Sequence, residues 1–124
     1  MLTGEIRKPE DIPEDDIRKH LPRFRPENFP KNLELVKDVQ TLAKQKGCTP
    51  AQLALNWVKA QSGKDGNPVI IPIPGATTAG RVEENAKDVS LTKEDLAQID
   101  EVLKSFGGTA GDRYWESAME HIEG

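Results

Sequence analysis

The chain has 124 residues, of which 35% are hydrophobic and 31% are charged, so its length and composition are those of one globular domain. Its net charge is −4 and no stretch is dominated by lysine and arginine, which argues against nucleic acid or an anionic membrane as a main partner. The longest apolar run lies around Val69 to Ile73, far short of the roughly 20 residues that cross a bilayer. The N-terminus has no leader-like pattern, which predicts a cytoplasmic location, and the single cysteine, Cys48, excludes an internal disulfide.

The first part of the chain, residues 5–31, mixes prolines with charged residues. Because proline lacks an amide donor and restricts its own φ, this composition predicts a long loop with at most one helical turn, near Asp15 to His20. From Lys31 apolar residues recur at helical spacing, and basic residues followed by Gly47 predict that an amphipathic helix ends there.

Three further helices are predicted from the residues at their ends, and a short fifth helix is expected in the tail. Threonine caps precede two of them, with a glutamine or aspartate three residues later. The predicted elements are Ala51 to about Gln61 after Thr49, Thr78 to Lys87 with Val82 and Ala86 on its inner side, a helix capped by Thr92 and ending at Gly107, and Tyr114 to Ile122.

One strand is predicted, at Val69 to Ile73, because this run is short, apolar and β-branched without alternation. A single strand cannot provide hydrogen-bonding partners for its own two edges. We therefore expect an α/β protein that is mostly helical with one strand, forming part of a larger domain or self-associating through unpaired strand edges. The order of elements is that of a slice through a parallel barrel or a doubly wound sheet.

A candidate anion site follows the predicted strand, where a glycine turn leads into a helix rich in hydroxyl residues. Gly75 lets backbone approach a ligand, and the amides at the helix start, together with the hydroxyl of Thr77 or Thr78, can donate hydrogen bonds. Arg81, Glu84 and Asn85 share one helix face, where a guanidinium suits phosphate and the other two suit a nucleobase edge. The alternative is a plain threonine-capped helix in which Arg81 pairs on the surface with Glu84 or Asn85.

Several stretches resemble the aldo-keto reductase family, in the right order and over nearly the whole chain. Ile71-Pro-Ile-Pro-Gly75 followed by Arg81-Val-Glu-Glu-Asn85 is similar to the family's eighth strand and NADPH-binding segment. Leu2-Thr-Gly4 resembles the end of the loop after its seventh strand, and Lys46 to Trp57 resembles the helix before its eighth strand.

This resemblance implies a fold, a cofactor and roles for six residues. Residues 1–124 are expected to be the C-terminal fragment of a (β/α)8 TIM barrel, a partial NADP-dependent oxidoreductase domain. The complete relative would reduce an aldehyde or ketone with NADPH. Arg81 would pair with the 2′-phosphate, Gly75, Ala76 and Thr77 would donate to it, and Glu84 and Asn85 would face the adenine. No lysine lies between Gly75 and Thr78, where some relatives have one.

The family's catalytic tyrosine, lysine, aspartate and histidine come from the first half of the barrel and match nothing here, so we expect no catalytic residue in this chain. The one tyrosine, Tyr114, is expected in a structural or rim position, His20 and His121 on the surface, and Cys48 as a small buried hydrophobe. Two alternatives to a reductase fragment stay open: an interaction module without catalytic activity, and a weak nucleotide-binding module.

Overall fold

A computed structural model describes residues 3–121, which form five α-helices joined by turns and extended segments. The helices are Phe29–Lys46 (α1), Pro50–Ala60 (α2), Ala79–Ala86 (α3), Lys93–Phe106 (α4) and Glu116–Met119 (α5). None of these helices is long and apolar enough to cross a membrane.

The capping residues confirm where three helices begin. Thr49 accepts a hydrogen bond from the Gln52 amide at 3.2 Å, and the Gln52 side chain accepts one from the Thr49 amide at 3.1 Å. Thr92 and Asp95 form the same reciprocal pair at the start of α4, and Thr78 caps α3. Each cap provides partners for amides that the first helical turn leaves without them. Gly47 and Gly107 end α1 and α4 in the left-handed conformation, as expected.

The N-terminal loop is more ordered than predicted. It contains three 3₁₀ turns, Pro9–Asp11, Ile17–His20 and Pro22–Phe24, so the expectation of at most one helical turn was wrong. The reason is that proline's fixed φ suits the first position of such a turn, and the Asp16 carboxylate caps another by accepting from the Arg18 amide at 2.9 Å. In the tail α5 is shorter than the predicted helix, whose last residue, Ile122, lies outside the described residues.

The main apolar core lies where α1, α2 and α4 meet. Ala43, Leu53 and Ile99 are its buried members, one from each helix, and partly buried side chains surround them: Val39, Leu42, Cys48, Trp57, Leu91 and Leu103. A second cluster packs the N-terminal loop onto the start of α1 through Ile6, Ile12 and Phe29. The apolar faces of α1, α2 and α4 therefore pack against one another within the chain.

A buried asparagine ties both ends of the chain to α1. The Asn32 amide group donates to the carbonyl oxygens of Arg23 at 3.0 Å and Ala110 at 2.9 Å, and its oxygen accepts from the Ala110 amide at 2.8 Å. Arg23 also donates to the Gly111 carbonyl. Gly111 has a φ of +81°, and a Cβ there would lie 2.9 Å from the Pro22 backbone, so this close approach requires glycine.

The strand predicted at Val69 to Ile73 is wrong: residues 3–121 contain no β-strand, and this segment is extended but unpaired. An extended backbone needs a neighbouring strand for its hydrogen bonds, and the described residues do not provide one. At Ile70 the Ser62 hydroxyl substitutes for a neighbouring strand: it accepts a hydrogen bond from the Ile70 amide at 2.9 Å and donates one to the Ile70 carbonyl at 3.2 Å. Val69, Ile71 and Ile73 remain 81%, 78% and 95% exposed.

Candidate functional site

The predicted anion site lies at the N-terminus of α3, which Thr78 caps. The Thr78 hydroxyl accepts from the Arg81 amide at 3.3 Å, and the Thr78 carbonyl accepts from the Val82 amide at 3.2 Å. Within residues 3–121 the amides of Ala79 and Gly80, which precede Arg81, have no hydrogen-bond partner. These amides lie at the positive end of the helix dipole, where a negatively charged group is stabilised.

The residues that precede α3 leave room for a ligand. Gly75, Ala76 and Thr77 are all exposed, and a Cβ built on Gly75 would meet no atom within 4 Å. The Asn85 side-chain amide donates to the Gly75 carbonyl at 3.5 Å, so the start of the segment and the end of α3 lie side by side. The space in front of Gly75 is therefore open, and the turn brings Gly75 and Asn85 to one place.

Arg81 makes an ion pair that its neighbours in sequence do not indicate. Its Nη2 atom donates to the Oε1 atom of Glu5, which lies 76 residues away. This hydrogen bond with the Glu5 carboxylate is the main cause that raises the pKa of Arg81, and the negative charge of Glu84 adds to it. In the alternative interpretation Arg81 paired with Glu84 or Asn85, whereas its ion pair in the structure is with Glu5 of the N-terminal loop.

Two buried amide side chains of α2 hold α3 in place. Gln52 donates to the Glu84 carbonyl at 3.2 Å, and Asn56 donates to the Lys87 carbonyl at 3.3 Å and to the Gln52 carbonyl at 2.9 Å. Glu84 lies in the last turn of α3 and Lys87 is the residue that caps its end, where carbonyls no longer receive an amide from the next helical turn. The sequence pattern indicates Gln52 as part of a cap and gives no role to Asn56, because their partners Glu84 and Lys87 lie about 30 residues away.

A cleft lies between α2, α3 and the extended segment. Its lining is mostly apolar and includes Leu55 on α2, Val82 on α3, Pro72 in the extended segment and Pro74 directly after it. Asn85 and Lys59 provide polar groups. Val82 and Ala86, expected on the inner side of the helix, line this cleft, but Val82 is still 57% exposed. A shallow apolar cleft with an amide at its edge suits a planar ring that also has donors and acceptors.

The other residues considered for chemistry lie elsewhere and have structural explanations. Tyr114 packs edge-on against Trp115 and lies under the Arg113 guanidinium, 5.5 Å from it. His20 and His121 are exposed, as expected. Cys48, which was expected to be buried, is only partly buried beside the main core, and this burial raises the pKa of its thiol. Across residues 3–121 no group of three or more potential ligand side chains is placed to hold a metal ion.

Comparison with known proteins gives a family match over most of the chain. The model of the "Aldo/keto reductase family" matches residues 1–104. The chain is 43% identical, over 98% of its length, to "Aldo-keto reductase yakc [NADP(+)]" of Schizosaccharomyces pombe. It is 40% identical over 92% of its length to an "Aldo-keto reductase" of Gibberella moniliformis, and 35% identical over 80% to "Aldo-keto reductase str7" of Strobilurus tenacellus.

These relatives are much longer than this chain. The matched region covers 34%, 33% and 29% of the three proteins, so the chain spans about a third of the length of the curated relatives it matches. No solved structure matches the chain significantly.

Proposed function

The chain belongs to the aldo/keto reductase family, and from this premise we propose that it is the C-terminal part of an NADPH-dependent reductase of aldehydes or ketones. We propose that residues 1–124 form a partial domain of the family's TIM barrel, from the loop after the seventh strand to the C-terminal tail. The Schizosaccharomyces pombe relative is named for NADP(+), which supports the choice of nucleotide. Bound NADPH would supply a hydride to the carbonyl carbon.

In this proposal the chain contributes binding and not catalysis. The family's proton-donating tyrosine and the residues that support it match no position here, so the chain's own task is to hold the adenosine end of the nucleotide. The observation that carries the proposal is the threonine-capped start of α3, where two amides with no hydrogen-bond partner among residues 3–121 adjoin Arg81. A phosphate at that point would meet backbone donors, the positive end of a helix dipole and a guanidinium.

The six residues have separate proposed roles. Arg81 would bind the 2′-phosphate, and the backbone and hydroxyl groups of Gly75, Ala76 and Thr77 would donate to it. The adenine would lie against the cleft beside α3, which has apolar walls and the Asn85 amide at its edge. Glu84, half-buried one position earlier on the same face, would accept from the exocyclic amino group of the adenine.

Binding of two small nucleotides to this chain tests the proposal. Adenosine 2′,5′-bisphosphate has the 2′-phosphate and adenosine 5′-monophosphate lacks it. We expect Arg81→Ala to weaken the bisphosphate roughly tenfold or more, because a hydrogen bond between charged groups contributes about 1.5–3 kcal/mol, and to leave the monophosphate unchanged. Titration calorimetry measures both. Arg113→Ala, which removes an arginine outside the site, is the matched control, and equal losses for the two nucleotides would contradict the 2′-phosphate assignment.

We propose a second function for the extended segment, as an edge through which two copies of the chain associate. Alternate residues of an extended chain direct their amides and carbonyls to opposite edges. Pro72 and Pro74 have no amide, and Ile70 is already hydrogen-bonded to Ser62, so one edge has no amide left to offer. The opposite edge has the amides of Val69, Ile71 and Ile73, all exposed residues.

That edge is complementary to itself. In an antiparallel pair centred on Ile71, Val69 of one copy lies opposite Ile73 of the other, so every amide meets a carbonyl and the prolines stay outside the contact. We expect a dimer whose population rises with concentration in analytical ultracentrifugation. Ile71→Pro, which removes the central amide, is expected to abolish it, whereas Ile71→Ala, which keeps the amide, should weaken it less. A chain that stays monomeric at high concentration would exclude this function.

A further inference from the structure

The ion pair between Glu5 and Arg81 places a carboxylate on the group proposed to bind phosphate. The Glu5 side chain is 60% exposed and that of Arg81 is 42% exposed, so both are accessible from solvent. Within residues 3–121 this is the one acidic side chain that hydrogen-bonds to the Arg81 guanidinium. The same side chain of Glu5 makes no other hydrogen bond there.

The surroundings of Arg81 make this contact important for a phosphate. Glu83 and Glu84 follow it on α3, and no lysine lies between Gly75 and Arg81 to add positive charge. The Arg81 guanidinium is therefore the single cation of residues 75–86, and the Glu5 carboxylate neutralises it. A carboxylate and a phosphate use the same N–H donors of an arginine, and two anions held next to one another repel.

We propose that Glu5 is a specificity-determining residue, whose carboxylate competes with the 2′-phosphate for Arg81 and so reduces the preference of the site for the phosphorylated nucleotide. This inference rests on the proposed function of Arg81. An ion pair this exposed is weak, so a phosphate can displace Glu5 from the guanidinium. The Glu5 carboxylate makes no other hydrogen bond in the described residues, and its charge acts otherwise on Arg18, which keeps its own ion pair with Asp16, so an amide of the same shape should leave the fold intact.

The test uses the same two nucleotides and the variants Glu5→Gln, Arg81→Ala and the double substitution. We expect Glu5→Gln to tighten adenosine 2′,5′-bisphosphate about threefold, which is the scale of one exposed charge interaction, and to leave adenosine 5′-monophosphate unchanged. In the Arg81→Ala background the same change should give no gain, because the two residues act through one contact. Thermal unfolding followed by circular dichroism verifies that each variant is folded.

Glu83→Gln is the matched control. It removes the same charge from an exposed residue of α3 whose side chain makes no hydrogen bond within the described residues. A gain for Glu83→Gln equal to that for Glu5→Gln would overturn the inference, because the effect would then be one of overall charge.

The remaining outcomes separate this inference from the proposed function. If Arg81→Ala weakens the bisphosphate but Glu5→Gln does not tighten it, or weakens it, the competition is overturned and the phosphate assignment stands. If Arg81→Ala has no effect on either nucleotide, or the chain binds neither, the proposed function fails and the inference fails with it.

Discussion

The helical region formed by α1, α2 and α4 and the extended segment at residues 69–73 contain similar apolar residues but bury them very differently. Leu53 in the helical region is 4% exposed, whereas Ile73 in the segment is 95% exposed. A helix satisfies most of its own backbone hydrogen bonds, so burial of its apolar side chains needs only another apolar face. The helices α1, α2 and α4 provide such faces for one another. An extended segment needs a neighbouring strand first. Apolar composition therefore led to a core only where the backbone requirement was met locally.

The largest expected difference in stability comes from truncating one apolar side chain in each region. Leu53→Ala should lower the free energy of unfolding by about 2–5 kcal/mol, because it removes buried contacts and leaves a cavity. Ile73→Ala should change it by less than about 0.5 kcal/mol, since that side chain is in solvent. Urea unfolding followed by circular dichroism measures both. Equal losses would mean that Ile73 is buried against something in solution.

A polar substitution tests whether the helical region also depends on its buried amides. Asn32→Ala should cost about 1–3 kcal/mol, because it leaves the Ala110 amide and the carbonyls of Arg23 and Ala110 without their partner. Asn67→Ala, which removes an exposed amide near the extended segment, is the control and should have little effect. An Asn32→Ala chain as stable as the parent would show that water replaces these bonds.

The helix caps are expected to differ between the helical region and α3, the helix that follows the extended segment. Thr92→Ala should destabilise the chain by about 1 kcal/mol, because Thr92 belongs to a reciprocal pair with Asp95 at the start of a core helix. Thr78→Ala removes one hydrogen bond at 3.3 Å from α3, and about 0.5 kcal/mol is expected. Denaturant midpoints of the two variants give the comparison. A larger loss for Thr78 would place α3 among the elements that support the core.

The smallest expected effect is a loss of unfolding free energy at low pH. The Lys46 ammonium, followed by the Thr92 amide, holds the pKa of Asp95 below its usual value of 3.8. Because the unfolded chain then binds a proton more readily, this stabilisation is present above about pH 4 and is lost as the pH falls through the lowered pKa. Unfolding free energies measured from pH 5 to pH 2 should fall, and less steeply for Asp95→Asn. Asp15→Asn, at an exposed carboxylate without an ion pair in the described part, should leave the slope unchanged.

Residues close together in sequence allowed most helices to be predicted. The caps at Thr49 and Thr92 and the glycines at 47 and 107 operate within four residues of the ends they define, and α2, α3 and α4 begin within one residue of their predicted positions. The strand at Val69 to Ile73 was not predictable in the same way, because a strand is a relation between two segments. Six site residues could be proposed because they occupy one continuous stretch, and their roles remain predictions.

What the amino-acid sequence determined by itself is the set of helices, their caps and the family, since each depends on local spacing or on matching residues in order. The tertiary structure alone decided which distant groups meet. The carboxylate of Glu5 lies on Arg81, the amides of Gln52 and Asn56 hold the end of α3, and Asn32 joins the loop and the tail. Apart from the Asn32 contact with Arg23, these partners are about 30 to 80 residues apart, and no local pattern specifies which of many exposed carboxylates or carbonyls a side chain will reach. That choice is made when the helices pack.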